Sequence, residues 1–458
     1  MTPTTSFLGL NIGLSALKAH QRSLETISHN IANVNTEGYS RQEVALTSSW
    51  TPTGQIFKPE YVGTGVNSEQ VRRYASRFLT DQIRMAANEE ERWATLHDTL
   101  AQIQVIFHEP AEEGLGAALD EFWAAWQDVG TDPTNFSQRA RLREVAEQIA
   151  EAIRQKYQEL MQLQRELAEQ VKSTVRQIND LATRVAELDK RIRQGRTLGA
   201  VPNDLMDQRD QLLYELGKLV DITTAYRDDG GVMVTVNGHL LVSERGAHLL
   251  NEDSQPSWQL DGAPLEAHGG QIAGLFASRD EEVPRYLDQL HEIASALINA
   301  VNDLHRQGYN LNGTTGLDFF VGSDASDIAV SSEIIDDPNN IAAAELPDAP
   351  GDGNMAFRIA DVAHELLTSS HVPLGTFYNT MIAMIGMGVR QTEAQQRNQE
   401  VLLQHLWERR DALSGVSVDE EAVKMVGAQR AYEAAARVIT AVDEMLDRLI
   451  NDTGLVGR

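Results

Sequence analysis

The chain has 458 residues, enough for about three domains, and 42% of them are hydrophobic, ample for a buried core. Its 39 Lys and Arg against 67 Asp and Glu leave a formal charge of −28, which repels phosphate backbones and excludes generic nucleic-acid binding. Cysteine is absent, so disulfides, Cys-ligated zinc and thiol nucleophiles are excluded together, and the low aromatic content of 6% favours helices. The apolar run from Phe7 to Leu14 is interrupted by Gly9, Asn11 and Gly13, with no earlier base. The expectation is therefore a chain without a cleaved signal peptide and, lacking any run near ~20 apolar residues, without membrane insertion.

The first forty residues predict an amphipathic helix with a narrow stripe, Leu10, Leu14, Leu17, Leu24, Ile27, Ile31 and Val34, in the a/d rhythm of a helix that packs on another helix. Asn30, Asn33, Asn35 and Gly38 follow, residue types that tolerate positive φ and stop helices. Extended chain is expected from Glu43 to Ser49, with turns at Pro52-Thr53-Gly54 and Gly63-Thr64-Gly65-Val66. Helix returns at about Ser76 with Leu79, Ile83, Leu96, Leu100 and Ile103, and Asp132-Pro133-Thr134 breaks it. The longest helical signal comes next: Leu142, Val145, Ile149, Ile153, Leu160, Leu163, Leu167, Val171, Val175, Ile178, Leu181, Val185, Leu188 and Ile192. Uninterrupted, these residues span about 75 Å, too long for one compact globule.

Near Ala225 the period changes to 2: Val232, Val234 and Val236 alternate, Asn237-Gly238 signals a type I′ hairpin, and Leu240 to Val242 answers. Helix is expected from Pro284 to His305, followed by a loop from Gln307 to Asp318. Residues 321 to 355, rich in Asp, Asn, Pro and Gly, receive no assignment. Phe377 to Leu413 reads as one helix. Ser417 and Glu420 form a capping-box pattern opening a last helix, with Met425, Ala428, Tyr432, Ala435, Ile439, Val442, Leu446 and Leu449 in alternating steps of 3 and 4. Stripes of this kind are usually core. These two are narrow, occupy opposite ends of the chain and leave a wet remainder, which points to ends that pair with each other and gain stability by docking.

No pattern demands catalysis. His364-Glu365 and His291-Glu292 lack a second His one turn on, where Thr368 and Ser295 stand, so a helical zinc site fails. Gly114-x-Gly116 lacks the third Gly and the preceding strand of a dinucleotide loop. Asn310, Asn312, Gly313 and Asp318 lack the acidic spacing of a calcium loop and fit an Asn-Gly turn. Met381, Met384 and Met387 fit adaptable packing at a helix interface better than a soft-metal site. No cofactor is expected.

Residues 28 to 42, Ser-His-Asn-Ile-Ala-Asn-Val-Asn-Thr-Glu-Gly-Tyr-Ser-Arg-Gln, resemble the amino-terminal motif of the bacterial flagellar rod, hook and hook-associated proteins. Several further segments match the hook-associated members in order. They are Gly63-x-Gly65-Val66, Val71-x-Arg73, Phe78-Leu79-x-x-Gln82, Pro202 to Asp210, and Gly270-x-x-x-Gly274-Leu275 before Arg279-Asp280. The series continues with Gly308 to Gly313, Asp318-Phe319-Phe320, Gly415 to Glu421, Gln429-x-Ala431-Tyr432, Ala436 to Ile439 and Asp443 to Leu446. Over residues 321 to 355 the chain departs from larger members, which carry an extra β domain there.

The resemblance implies a non-enzymatic, extracellular subunit of the flagellum at the hook–filament junction, forming a homo-oligomeric ring beside the hook protein and a second hook-associated junction protein. It also implies passage through the flagellar export apparatus without a cleaved signal, and an export chaperone on the carboxy-terminal helix, residues 419 to 451. The expected fold is mainly α, with residues 1–40 and 415–458 as a terminal coiled coil. Residues 41–220 and 282–414 are expected as a long-helix bundle and 221–281 as a β-rich insertion. Assembly is expected through Leu10, Leu14, Leu17, Leu24, Ile27, Ile31, Val34, Met425, Tyr432, Ile439, Val442, Leu446 and Leu449, with Asn30, Asn33, Asn35, Gly38 and Tyr39 turning the chain outward. Another axial subunit (hook or distal rod), a calcium-dependent adhesin or hydrolase, and a cytosolic coiled-coil scaffold are the alternatives.

Overall fold

A computed structural model describes residues 8–53, 60–107, 114–251, 258–260, 263–265 and 267–451. Helix α1 (Leu8–Ala32) is followed by a hairpin of β1 (Gln42–Thr53) and β2 (Glu60–Arg73), then α2 (Arg77–Phe107), α3 (Leu115–Thr131), α4 (Phe136–Thr197) and α5 (Asn203–Leu219). An antiparallel sheet in the order β3 (Ile222–Tyr226), β4 (Val232–Val236), β5 (His239–Ser243), β6 (Gly246–Ala247) comes next, with a small hairpin of β7 (Trp258–Leu260) and β8 (Ala263–Leu265). Helix α6 (Gly270–Ala277) runs through one turn of π-helix (Ser278–Glu282) into α7 (Val283–His305). The short pair β9 (Phe320–Val321) and β10 (Ala329–Val330), α8 (Ser332–Asp336) and α9 (Asn354–Asp361) precede the two long helices α10 (Leu374–Ser414) and α11 (Val418–Asn451).

Helix α4 is the beam of the molecule. Its 62 residues span about 93 Å at ~1.5 Å per residue. Asn135 caps it, its side chain accepting the Ser137 N–H, and between that cap and Gly195 no Gly or Pro interrupts it. Every residue of its predicted stripe is buried except Leu188, which is half-buried. One long stripe cannot be covered by one partner, so α3, α7 and β10 pack along its first half and α5 and the β3–β6 sheet along its second.

The two halves are closed differently. At the amino-terminal end of α4 the aromatic residues Phe122 and Trp126 of α3 pack on Phe319 and Phe320, with Trp126 and Phe319 centroids 5.1 Å apart. At the other end a buried ion pair does the work. Asp189 of α4 accepts from Arg209 of α5 at 3.1 Å and from the Val232 N–H at 2.8 Å, while Arg209 also donates to the Gly230 carbonyl at 2.7 Å. These bonds tie the sheet to α4 and α5. Within the sheet Val232, Val234 and Val236 are buried, and Asn237 (φ 47°) and Gly238 (φ 82°) make the tight turn that the sequence called for.

Several expectations require correction. The hairpin β1–β2 lies along α1, so the helical bundle proper starts at Arg77 and not at residue 41. Residues 63 to 66 are not a turn: they pair with Ser48 to Trp50 inside β2, and Gly65 (φ +118°) marks an irregularity that brings the strand onto α1. Gly54 of the other expected turn lies outside the described residues. The β-rich segment ends before α6, because Gly270 to Ala277 carry apolar residues that pack on α2 as a helix. Helices α3 and α5 were not separated out in the sequence, and residues 321 to 355 form short strands, α8 and the approach to α9 around the Phe319–Phe320 plug. Of the three methionines placed at a helix interface, Met381 is buried whereas Met384 and Met387 are exposed.

One buried titratable group makes the closure of the aromatic end sensitive to acid. His305, at the end of α7, donates from Nδ1 to the Leu317 carbonyl at 2.7 Å and accepts the Ala342 N–H on Nε2 at 2.9 Å. Burial pushes its pKa from 6.5 down to about 4. As pH falls the unfolded chain takes up this proton first, so the contribution of neutral His305 is complete above about 6.5 and is lost between about 6.5 and 4. Replacing it with Gln should lower thermal stability at neutral pH and flatten the melting temperature against pH over that window. A calorimetric pH series on both proteins checks this.

Candidate assembly interface

Helix α1 is sandwiched between the β1–β2 hairpin and α11. It meets α11 through its smallest residues. A Cβ on Gly13 would stand 2.7 Å from Ile439 Cγ1, and one on Gly9 would stand 3.2 Å from Val442 Cγ2. Gly9 and Gly13 therefore let α11 side chains reach the α1 backbone. At the other end of α1, Asn30 meets Glu421, so the two helices run antiparallel. On the hairpin side a Cβ on Gly65 would collide with Ser15 Oγ, whose hydroxyl accepts the Val66 N–H at 3.3 Å, and Ala19 is almost fully buried.

Asn30 joins three elements. Its side-chain amide donates to the Gln42 carbonyl of β1 and to Glu421 Oε2 of α11, both at 2.8 Å, and its oxygen accepts the Gln42 N–H at 3.0 Å and the Tyr39 hydroxyl at 2.8 Å. Glu421, 1% exposed, is also paired with Lys424 at 2.8 Å. Burial and the nearby Asp204, Asp207 and Glu421 carboxylates push the Tyr39 hydroxyl far up, so it stays a neutral donor. The His29 ring lies edge-on to Tyr39, its Nδ1 3.0 Å from the hydroxyl.

The chain crosses between these terminal elements and the bundle twice, at 74–76 and 415–417, and the α1–β1 connection at 38–41 is bonded to both crossings. The Arg41 N–H donates to the Ser414 carbonyl at 2.9 Å and the Tyr74 N–H to the Arg41 carbonyl at 2.8 Å. The Arg41 guanidinium lies 4.7 Å over the Tyr74 ring and pairs with Glu420 at 3.2 Å. The expected capping box is thus only half present: Ser417 faces the Glu420 N–H at 3.5 Å, but the Glu420 carboxylate goes to Arg41.

The sequence-predicted residues are distributed unevenly. Leu10, Leu17, Leu24 and Ile31 are half-buried, Ile27 is buried, and Leu14 and Val34 are exposed. Met425, Tyr432, Ile439, Val442 and Leu446 are half-buried, and the side chain of Leu449 lies outside those described. In the turn motif Gly38 alone takes positive φ, at 78°. Asn30 is a buried helical residue, Asn33 donates back to the His29 carbonyl at 2.9 Å, and neither they nor Asn35 adopt the left-handed conformation expected of them. Sequence reasoning missed Gly9 and Gly13, which read as interruptions of an apolar run although their spacing of four puts them on one helix face. It also missed Glu421, because a buried carboxylate in an acidic first turn carries no pattern.

The rejected chemistries also have structural explanations. His291 pairs with Asp324 at 3.3 Å and packs on Tyr157. Asn310 spends its oxygen on the N–H groups of Asn312 and Thr314, at 2.9 and 2.8 Å, closing its own loop. Among the described residues no group of three or more His, Asp or Glu is arranged to hold a metal, and no helix is long and apolar enough to cross a membrane.

Known protein families match different parts of the chain. The flagellar hook-associated protein FlgK helical domain matches residues 100–320, the flagella basal body rod protein family matches 10–39, which is α1 and its turn, and the flagellar basal body rod FlgEFG protein C-terminal family matches 412–452, which is α11. Flagellar hook-associated protein 1 of Bacillus subtilis is 29% identical over 99% of this chain and 100% of its own length. The chain belongs to the FlgK family. Hook-associated protein 1 of Salmonella typhimurium is 30% identical over 69% of this chain, and that of Escherichia coli is 27% identical over 71%; the matches span 59% and 64% of those longer proteins. The structure of the flagellar hook junction protein FlgK from Burkholderia pseudomallei has the same fold, with a TM-score of 0.65, 14% identity, and coverage of 73% of this chain and 100% of that one. The mainly helical fold expected from the sequence is that of FlgK.

The close approach of α1 and α11 is open to a direct test. Gly13→Val should weaken their packing by about 1–3 kcal/mol through overpacking, and Ile439→Ala in the same chain should recover part of that loss. Hydrogen exchange of the α11 amides, read as a double-mutant cycle, measures both.

Proposed function

We propose that this chain is a structural, non-enzymatic subunit of the hook–filament junction of the bacterial flagellum, and that it polymerises through its paired terminal helices. The observation that carries the reading is the incomplete cover of α11. After α1 has docked, Met425, Tyr432, Ile439, Val442 and Leu446 remain half-exposed, and on its other sides Val423 is 74% and Met445 59% exposed. A helix apolar around more of its circumference than one partner covers is built for further burial, and copies of the same subunit in a ring supply it. Each large apolar side chain so buried contributes about 1.5–3 kcal/mol.

The family resemblance supports the finer parts of the proposal. The hook protein lies on one side of the ring and a second hook-associated protein on the other, and the subunit leaves the cell through the flagellar export apparatus without a cleaved signal. Before export a dedicated chaperone covers the exposed apolar residues of α11. The division into a terminal coiled coil, a helical bundle and a β-rich insertion belongs to the same proposal, with the hairpin β1–β2 moved to the terminal unit.

Cells lacking the protein should keep hooks and lose filaments, as seen by electron microscopy of detached flagella; loss of the hook itself would favour a hook or distal-rod subunit. Ile439→Asp should reproduce the loss of filaments while the bundle still folds, as measured by circular dichroism. Gly38→Val, which forces a β-branched residue to φ +78° at a cost of about 1–3 kcal/mol, should reduce incorporation into flagella without abolishing expression; normal incorporation would remove the turn from the mechanism.

A further inference from the structure

The terminal unit of α1, the β1–β2 hairpin and α11 packs on itself. Among the described residues none of its helices or strands lies along an element of the bundle, and its apolar residues stand outside the large core of the molecule. Apolar packing therefore does not set the angle between the two bodies. A group of polar side chains at the start of α5 occupies the join instead. Asn203, Asp207 and Asp210 are spaced by four and three and share one helix face.

From this face Asp207 and Asp210 take the two arms of the Arg73 guanidinium, each at 2.7 Å, with side chains only 7% and 18% exposed against 11% for Arg73. Arg73 is the last residue of β2, so the fork grips the hairpin at its base. Apart from His29 of α1, whose Nε2 lies 3.5 Å from Asp204, the remaining bonds to the start of α5 fall at or beside the same strand ends. Asn203 donates to Gln42 Oε1 at 3.1 Å and to the Val71 carbonyl at 3.0 Å, Gln42 donates to Asp204 at 2.7 Å, and the Ser40 N–H donates to Asp207 at 3.2 Å.

We propose that this socket is an angle-setting clamp: Arg73, held by Asp207 and Asp210, is the positioning residue that fixes the direction in which the bundle projects from the terminal unit. A guanidinium is suited to this because its planar fork accepts two carboxylates in one orientation, whereas an apolar contact would slide. The inference rests on the reading of the terminal unit as the polymerising part only for its consequence in the flagellum; the clamp itself is a property of the single subunit.

The test separates stability from direction. Arg73→Met leaves buried Asp207 without a cation and Asp210 with only the more distant Arg209 Nε at 3.9 Å, and should lower the melting temperature, whereas adding Asp207→Asn and Asp210→Asn removes the uncompensated charges and should restore it. Because the chain has no cysteine, spin labels at Asn67→Cys on β2 and Gln170→Cys on α4 can be placed singly, and pulsed dipolar spectroscopy on the purified, unassembled full chain reads the distance between hairpin and bundle. The parent chain should give one narrow peak. The triple variant should melt like the parent yet lose that peak for a broad distribution, and Arg73→Lys, which keeps the charge without the fork, should fall between them. A triple variant that keeps the narrow peak, or a parent chain that has none, overturns the clamp. A broad triple variant that still supports normal filaments leaves the clamp standing and removes the need for a fixed angle in assembly.

Discussion

Four hydrogen bonds converge on the side chain of Asn30, which is fully buried where α1, β1 and α11 meet. A buried amide costs about 1–3 kcal/mol for each group left unsatisfied, so the helix, the strand and the carboxylate of Glu421 must all be in place together. The two ends of the chain, separated by 391 positions between Asn30 and Glu421, are joined there by a direct side-chain bond. An apolar residue at the same place would tolerate slippage of one helix along the other; an amide with directional partners does not.

Around this point the molecule divides its forces between two kinds of structure. The bundle has a continuous core along α4, closed by aromatic rings at one end and by the Asp189–Arg209 pair at the other. The terminal unit has no comparable core. It is a sandwich of α1 between the hairpin and α11, held by small residues that permit close approach and by polar bonds that fix register, and it leaves apolar surface uncovered on α11. That asymmetry suits the proposed subunit of a polymer, in which the bundle is complete within one chain and the terminal unit is left with apolar surface for other copies to cover.

Long periodic segments were legible in the sequence because burial along a helix repeats at 3.6 residues. The stripe of α4 from Leu142 to Ile192 and the alternation of Val232, Val234 and Val236 appear in the structure as read. The join between the two bodies was not legible. Arg73, Asp204, Asp207 and Asp210 lie in segments that carry the family resemblance, but that they pair with one another depends on a hairpin base arriving at a helix start more than a hundred positions away. The hairpin was misplaced for a related reason: its strands carry too few alternating apolar residues to announce which body they cover, and Gly65, read as a turn, is there because Ser15 and Ile12 stand where a side chain would go.

What the sequence by itself determined was composition-level chemistry and periodicity: an acidic chain without cysteine, helices with narrow stripes at both ends, one very long helix, a small β segment, and the family to which the motifs point. Those properties are local, set by the spacing of apolar residues along a single element. Only the tertiary structure decided that Gly9 and Gly13 are a contact surface, that Asn30 is a buried junction and not a turn, and that a guanidinium gripped by two carboxylates joins the two bodies. Each of these depends on which atoms of a distant segment come within about 3 Å, the range at which hydrogen bonds and packing act, and no one-dimensional pattern records that.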